Sequence, residues 1–241
     1  MLNTGAIRYR GGGEFDEAPL TVCGKPLIAD ASGALYWPGE KLLIVADMHL
    51  EKGSAAAARG HLLPPYDTAE TLTRLEASIE RFEPERVALL GDSFHDAGAL
   101  DRLHPDDLEW LYNLQDGREW IWITGNHDPV IPEELAGKVV AALEVSGVTL
   151  RHTPSRGPVT HEICGHLHPA AKLALEGAVL RRPCFVGNGR RLIVPAFGAY
   201  AGGLNVLDQA FAGLFGDTGL KLWVLGGEGI YPVAARGLKP D

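Results

Sequence analysis

Three short runs of apolar residues mark the first half of the chain. They cover residues 42–46, 87–90 and 120–123, and each run is continuous, with no alternation of apolar and polar positions. Runs of this length that are apolar at every position are typical of strands buried on both faces of a sheet. The pattern therefore predicts three central strands of a parallel sheet.

The segments between these strands are predicted to form helices. Apolar residues recur three to four positions apart between 68 and 82, which predicts a helix, and Asp67 with Glu70 fits a capping box at its start. A second helix is predicted to begin at Pro105, which two acidic residues follow. The resulting β-α-β-α-β order indicates parallel strands joined by helical crossovers.

The second half of the chain has a different character. After about residue 139 it reads as short strands and tight turns, and Asn188-Gly189 between the apolar runs 183–186 and 192–194 is a strong hairpin signal. An α/β half followed by a β-rich half predicts two packed sheets with helices outside. Residues 1–18 are polar and glycine-rich and are expected to form a loose leader, with 19–241 as a single domain.

Composition narrows the class of protein. The net charge of −9 argues against a protein that coats nucleic acid through a basic face. It leaves phosphate-bearing substrates open, because bound divalent cations would concentrate positive charge at one point. The three cysteines are scattered and form no C-x-x-C pair, which favours reduced thiols in the cytoplasm. No apolar run approaches the ~18 residues of a membrane span, so we expect no membrane association.

Polar side chains follow each predicted central strand. In open α/β sheets ligands bind beyond the carboxyl ends of the strands, so these side chains are expected to converge in one crevice. Glycines precede several of them, where a tight bend needs a residue without Cβ. The residues are Asp47 and His49, then Gly91-Asp92, then Gly125-Asn126-His127-Asp128, and in the second half His152 and Gly165-His166-x-His168.

The spacing of two of these pairs suits metal binding. Residues i and i+2 of an extended chain point the same way, so Asp47 with His49, and His166 with His168, can each face one ion. Imidazole and carboxylate ligands together suit Mn, Fe or Zn better than Ca or Mg. The pattern therefore indicates a site for a divalent transition metal.

Taken in order, these five blocks resemble the calcineurin-like metallophosphoesterase superfamily. The resemblance implies an α/β fold, a four-layer α-β-β-α sandwich with two central mixed sheets. It also implies hydrolysis of phosphodiesters by a hydroxide activated between two divalent metal ions, with Mn as the first choice and Fe or Zn as alternatives. The blocks span roughly half of the chain.

The same resemblance implies a role for each residue. The first ion would be held by Asp47, His49 and His168, the second by Asn126, His152 and His166, and Asp92 would bridge the two. His127 would stay unligated and protonate or stabilise the leaving oxygen. His161 competes with His152 for the role of lone histidine, and His152 is favoured because it follows an apolar run. Three further residues are candidates for supporting or substrate contacts: His95, Asp96 and Asp128.

Further motifs resemble one bacterial branch of the superfamily, the ligase-associated DNA-damage-response endonucleases. They are residues 33–38, 51–54, 63–68, 93–96 and 195–198. The resemblance implies a DNA phosphodiester substrate and an association with a DNA ligase and helicase system. One position departs from the commoner G-D-x-x-D pattern, because His95 stands three residues after Asp92 and the acidic Asp96 one later. Which group orients His127 is therefore open.

Two rival functions stay open at this point. A small or cyclic nucleotide diester could be the substrate, which the negative net charge favours. A non-catalytic scaffold on the same fold is the other alternative, although every expected type of ligand is present. Two residue groups could contact nucleic acid, but we interpret them as solvated edge and core respectively: the cations Lys172, Arg181, Arg182, Arg190 and Arg191, and the aromatics Trp37, Tyr66 and Phe197.

Overall fold

Two mixed β-sheets pack face to face in this protein. The computed structural model describes residues 16–241 except 62, 158, 160, 176–177 and 217–218. Apolar side chains from both sheets, among them Ile44, Ile121, Leu150 and Phe185, form the core between them. The prediction of two packed mixed sheets is confirmed.

The first sheet holds the three predicted central strands side by side. Strands β4, β5 and β6 are parallel neighbours, and β7 continues in the same direction, whereas β1 to β4 are antiparallel. Both faces of the central strands are buried, which explains their continuous apolar pattern. The strands are β1 (Glu17–Val22), β2 (Lys25–Asp30), β3 (Leu35–Trp37), β4 (Leu42–Val45), β5 (Arg86–Leu90), β6 (Glu119–Ile123) and β7 (Lys138–Val140).

The α-helices cover the outer face of the first sheet. They are α1 (Lys52–Ala58), α2 (Asp67–Phe82), α3 (Ala99–Arg102) and α4 (Pro105–Gln115). The predicted α2 and α4 are confirmed, and their apolar faces pack on the sheet through residues such as Leu75 and Leu111. The predicted capping box is wrong, because the Asp67 carboxylate accepts a hydrogen bond from the Gly53 amide, 2.9 Å away. None of the helices in the described chain is long and apolar enough to cross a membrane.

The second sheet is built from the rest of the chain. Its order is β14-β11-β12-β13-β10-β9-β8, with β15 paired to β12 and β16 to β15. The predicted hairpin is confirmed, since β12 and β13 pair antiparallel on either side of Asn188-Gly189. The strands are β8 (Ala142–Val145), β9 (Val148–Arg151), β10 (Glu162–Cys164), β11 (Pro169–Leu175), β12 (Ala178–Gly187), β13 (Arg191–Ile193), β14 (Leu204–Asn205), β15 (Lys221–Leu225) and β16 (Ile230–Ala234).

The outer face of the second sheet differs from the predicted α-helical layer. Within the described ranges, the 3-10 turns Gln209–Phe211 and Ala235–Gly237 and the loops around them cover this face. The reason lies in the connecting segment 195–220, which is rich in glycine and lacks a sustained helical period. Phe211 in the first 3-10 turn and Leu238 just after the second pack their apolar side chains on the sheet.

The amino-terminal boundary also differs from the prediction. Strand β1 begins at Glu17, inside the predicted leader, because Ala18, Leu20 and Val22 alternate into the core. The rest of the predicted leader, residues 1–15, lies outside the described residues. A single domain from residue 19 onward stays a prediction.

Candidate metal centre

The predicted ligands meet where the central strands end. Strands β4, β5 and β6 are parallel, as are β9 and β10, so their carboxyl ends lead to the same edges of the two sheets. The loops that follow bring together all seven side chains predicted to bind metal: Asp47, His49, Asp92, Asn126, His152, His166 and His168. The geometry divides them into two neighbouring groups.

Left-handed backbone is concentrated at this site. Five of the seven residues have positive φ: Asp47 (53°), His49 (46°), Asp92 (49°), His166 (71°) and His168 (44°). Such a conformation costs a non-glycine residue about 1–3 kcal/mol and persists only where the surrounding structure enforces it. The predicted extended spacing is therefore wrong in its geometry, although both members of each i, i+2 pair do reach the site.

The first group consists of Asp47, His49 and His168. Their ligand atoms lie within 4.8 Å of one another, and Nε2 of His168 is 3.3 Å from both Nε2 of His49 and Oδ1 of Asp47. The His168 ring is oriented by its Nδ1, which is 3.1 Å from the Gly202 carbonyl. Oδ2 of Asp92 is 3.9 Å from Nε2 of His49, so this carboxylate borders the group.

The second group lies on the other side of the same carboxylate. Oδ2 of Asp92 is 3.4 Å from Nε2 of His152, which is 2.9 Å from Oδ1 of Asn126 and 3.0 Å from Nδ1 of His166. Nδ1 of His152 lies 2.8 Å from the Leu90 carbonyl, an arrangement that leaves Nε2 facing the group. Asp92 thus stands between two sets of ligand atoms.

The protonation states suit cation binding. Burial is the largest cause that lowers the pKa of His49, to about 3, so its imidazole is neutral at pH 7. Burial alone would raise the pKa of Asp92, but hydrogen bonds from the His152 ring and the His127 amide outweigh it and lower the pKa to about 2. Neutral imidazoles and ionised carboxylates are the forms that bind metal.

The acceptor atoms at the site favour the binding of positive charge. With Nδ1 of His152 donating to a carbonyl, its Nε2 faces the acceptor atoms of Asn126 and Asp92. Burial alone would lower the pKa of His152, yet the neighbouring carboxylates raise it, so a proton is drawn to this position. Oδ1 of Asp47 is also buried and accepts no hydrogen bond. Two divalent cations fit these observations, because they would satisfy the crowded acceptors.

His127 is exposed and stands at the edge of the first group, with its ring centroid 5.1 Å from that of His49. Its main-chain amide donates to Oδ1 of Asp92, and its Nδ1 lies 2.8 Å from the carbonyl oxygen of His95. The His95 ring stacks against it at a centroid distance of 5.4 Å. The group that orients His127 is thus a main-chain carbonyl, which no side-chain motif in the sequence could have revealed.

Asp128 ties the loops together. Its Oδ1 accepts the amides of Asp92 and Gly125, and its Oδ2 accepts those of Ser93 and Phe94. The side chain is 3% exposed, so these four hydrogen bonds fix the loops after β5 and β6 relative to each other.

Asp128→Asn is expected to weaken both the fold and the site. An amide nitrogen in place of one oxygen would face two N–H donors, so we expect a loss of about 2–4 kcal/mol in the free energy of unfolding. Urea denaturation and manganese titration would measure the two effects. Asp208→Asn is the matched control, because Asp208 accepts the Ala210 amide at an exposed turn and asparagine can do the same. Equal stability of the two variants would contradict the assigned role.

Several other candidates lie elsewhere. The Asp96 carboxylate pairs with Arg102 at 2.8 Å, and its contact with substrate stays a prediction. His161 is exposed and precedes β10, at the end of that strand opposite the site, so the structure places His152 and not His161 beside Asp92. The sequence had favoured His152 because it follows an apolar run.

The cation and aromatic candidates are also dispersed. Arg191 is fully buried and its Nε is 2.6 Å from the Glu162 carboxylate, so it contacts no phosphate. Lys172 and Arg181 both pair with Asp241. As expected, Trp37 and Phe197 are core residues, at 2% and 0% exposure, but Tyr66 is 68% exposed, so the core interpretation of Tyr66 is wrong.

Comparison with known proteins identifies the class. Residues 40–153 match the calcineurin-like phosphoesterase family. The structure of Pseudomonas putida nuclease MPE superposes with a TM-score of 0.69 and 28% identity, covering 90% of this chain and 100% of that one. Fold and site together define a hydrolase of phosphoesters that uses divalent metal ions. The matched segment contains Asp47, His49, Asp92, Asn126 and His152, five of the seven residues predicted to bind metal.

Two further structures align with lower scores. A phosphoesterase from E. coli, Yfce, is 13% identical and covers 80% of this chain and 98% of its own, with a TM-score of 0.40. A protein of unknown function from Aquifex aeolicus is 16% identical and covers 53% of this chain and 78% of its own, with a TM-score of 0.38. No curated protein matches the chain.

Proposed function

We propose that this protein cleaves phosphodiester bonds of DNA at a centre of two divalent ions. The observation that carries the proposal is the position of Asp92 between two groups of ligand atoms. Asp47, His49 and His168 would hold one ion, Asn126, His152 and His166 the other, and the Asp92 carboxylate would contact both. When bound, such a pair of ions neutralises charge on the phosphoryl group and lowers the pKa of water toward neutrality.

The chain itself supplies orientation. Hydrogen bonds to the carbonyls of Leu90 and Gly202 hold His152 and His168 with Nε2 toward the centre. Asp128 holds the Asp92 loop in place through its main-chain amides. The ligands therefore keep one geometry before a substrate arrives, which is the condition for electrostatic stabilisation of the transition state.

His127 acts on the leaving oxygen. Donation from Nδ1 to the His95 carbonyl leaves Nε2 unengaged, and the ring is exposed at the rim of the centre. From there it can give a proton to the departing oxygen or stabilise its charge. Its main chain, not its ring, contacts the Asp92 carboxylate.

His127→Ala is expected to retain both metal ions and to slow hydrolysis by about 10²–10⁴-fold. Diesters with poor leaving groups should lose most, because they depend most on protonation. The measurements are metal content after dialysis and kcat for diesters of graded leaving-group pKa. His104→Ala is the matched control, since His104 is an exposed helix cap outside the site. Loss of both ions from the His127 variant would overturn the assignment.

DNA is the proposed substrate because the fold resembles that of a nuclease over 90% of this chain. A small or cyclic nucleotide diester is the second candidate, favoured by the net charge of −9. A panel of plasmid DNA, bis-p-nitrophenyl phosphate and a phosphomonoester with added manganese separates the cases. Cleavage of DNA would support the proposal, provided that the affinity for DNA falls steeply as the salt concentration rises. Preference for the monoester would overturn it.

Metal identity, location and partners complete the proposal. Manganese is proposed because imidazole, amide and carboxylate ligands are mixed at the site. A cytoplasmic location is supported by the buried thiols of Cys164 and Cys184, which form no disulfide. Association with a DNA ligase and helicase rests on the resemblance of the sequence motifs. Co-purification of the tagged protein with those enzymes would test it.

A further inference from the structure

Helix α1 begins at the edge of the candidate metal centre. Its first residue, Lys52, comes three positions after His49, and Arg59 follows its last residue. Seven positions are about two helical turns, so the two cations lie on one face of α1, roughly 10 Å apart along its axis. Only glycine, serine and alanine stand between them. We refer to Lys52 and Arg59 as the α1 cation pair.

This face of the helix is directed toward the catalytic rim. The His95 amide donates to the Leu50 carbonyl at 3.0 Å, two residues before Lys52, and Leu50 pairs with Phe94. Burial is the largest cause that lowers the pKa of His95, and the charges of Lys52 and Arg59 lower it further. His95 in turn stacks on His127. The α1 cation pair therefore neighbours the side of the centre at which the leaving oxygen would depart.

Within the described part of the chain, no acidic side chain neutralises either cation. Among the described residues, Lys52 and Arg59 take part in no ion pair or side-chain hydrogen bond. The nearby acids already have partners: Asp96 binds Arg102, Glu51 accepts from Thr68, and Asp67 accepts the Gly53 amide. The chain has a net charge of −9, so two unpaired cations beside the candidate metal centre stand out. Their positive charge favours the binding of an anionic ligand.

The helix that carries the pair is held in place. The Arg102 guanidinium donates to the Ser54 hydroxyl at 3.0 Å, and the Gly53 amide donates to Asp67. Both Gly53 and Ala55 are buried. The backbone under the two cations is thus fixed relative to the centre, although their own side chains reach into solvent.

We propose that the α1 cation pair binds backbone phosphates of a nucleic-acid strand next to the phosphate being cleaved. This inference rests on the proposed function and deepens it, because it names the contacts that would distinguish a polymer from a diester with one phosphate. Such contacts fix the register of the strand without reading its sequence. A substrate with no flanking phosphate gains nothing from them.

The test compares two substrates in the double variant Lys52→Ala/Arg59→Ala. Alanine is the best helix former, so α1 should stay intact. For a single-stranded DNA oligonucleotide relative to bis-p-nitrophenyl phosphate, the ratio of kcat/KM is expected to fall at least tenfold, mainly through KM. The salt dependence of oligonucleotide binding should lose a slope of about 0.7 per phosphate contact removed. Lys52→Arg/Arg59→Lys, which keeps both charges, should restore most of the ratio.

Lys221→Ala/Arg236→Ala is the matched control, since it removes the same two charges at another location. Lys221 pairs in register with Gly187, at the end of the second sheet opposite the centre, and Arg236 follows β16 nearby. This control should keep the wild-type ratio. A Lys52/Arg59 variant that matches the control, or that loses both substrates equally, would overturn the inference. If the wild type cleaves no DNA but hydrolyses small diesters, the proposed nuclease function fails instead.

Discussion

Asp92→Asn is expected to lower kcat/KM for every phosphodiester by about 10³-fold or more, equivalent to roughly 4 kcal/mol of transition-state stabilisation. Oδ2 of the Asp92 carboxylate faces ligand atoms of both sets, at 3.4 Å from Nε2 of His152 and 3.9 Å from Nε2 of His49. Asparagine keeps an oxygen that can accept the His127 amide but loses the negative charge. We therefore expect weaker binding of both ions, measured by manganese titration and by kcat/KM on bis-p-nitrophenyl phosphate.

The control for this variant is Asp101→Asn, which removes one carboxylate from an exposed position of α3. It should behave as the wild type in both assays. Thermal denaturation of the metal-free proteins tells a damaged fold from a damaged site. An Asp92→Asn protein that still binds two ions with wild-type affinity would show that this carboxylate does not join the two halves of the centre.

The central strands and the residues that follow them could be predicted from sequence because their signals are local. Continuous apolar runs marked β4, β5 and β6, and the polar residues after each run lie together in the structure. The rule that ligands bind at the carboxyl ends of parallel strands supplied the rest. Local pattern and one topological rule thus indicated where the residues after β4, β5 and β6 meet, whereas their division between two ions came from the family resemblance.

Features that depend on distant contacts were not predictable in this way. Asp67 was expected to cap its own helix, but its carboxylate binds the Gly53 amide, 14 residues earlier. Arg191 was grouped with surface cations, but it is buried against Glu162, a partner in another strand. In both cases the local propensity is real and a tertiary partner offers a stronger hydrogen bond or ion pair. Only the fold reveals that partner.

The site is costly to build, and metal binding would offset that cost. Five ligand residues adopt left-handed backbone, and acceptor atoms such as Oδ1 of Asp47 are buried without a donor. Both features disfavour the metal-free folded state. Ions that bind the folded chain but not the unfolded chain would stabilise the folded state and so offset this cost. Stability and metal affinity should therefore change together in variants of the loops that hold the ligands.

Gly125→Ala is the variant in which this coupling should be largest outside the ligands themselves. A Cβ at Gly125 would lie 2.2 Å from Oδ1 and 2.3 Å from the amide nitrogen of Asp92, and 2.7 Å from Oδ1 of Asp128. These neighbours are a main-chain atom and two carboxylates that are held by hydrogen bonds, so displacing any of them would cost free energy. We expect the free energy of unfolding to fall by about 3 kcal/mol or more. Activity should fall with it, because Asp92 must shift.

Gly227→Ala separates this steric effect from the general cost of replacing glycine. Nothing lies within 4 Å of a Cβ at Gly227, and its φ is not in the left-handed range. Its free energy of unfolding should stay within about 0.5 kcal/mol of wild type. Urea denaturation with and without manganese measures both variants. Because the Gly125 variant should bind metal more weakly, manganese should stabilise it less than it stabilises the Gly227 variant. Equal stabilisation would mean that the loop after β6 can relax without disturbing the Asp92 carboxylate.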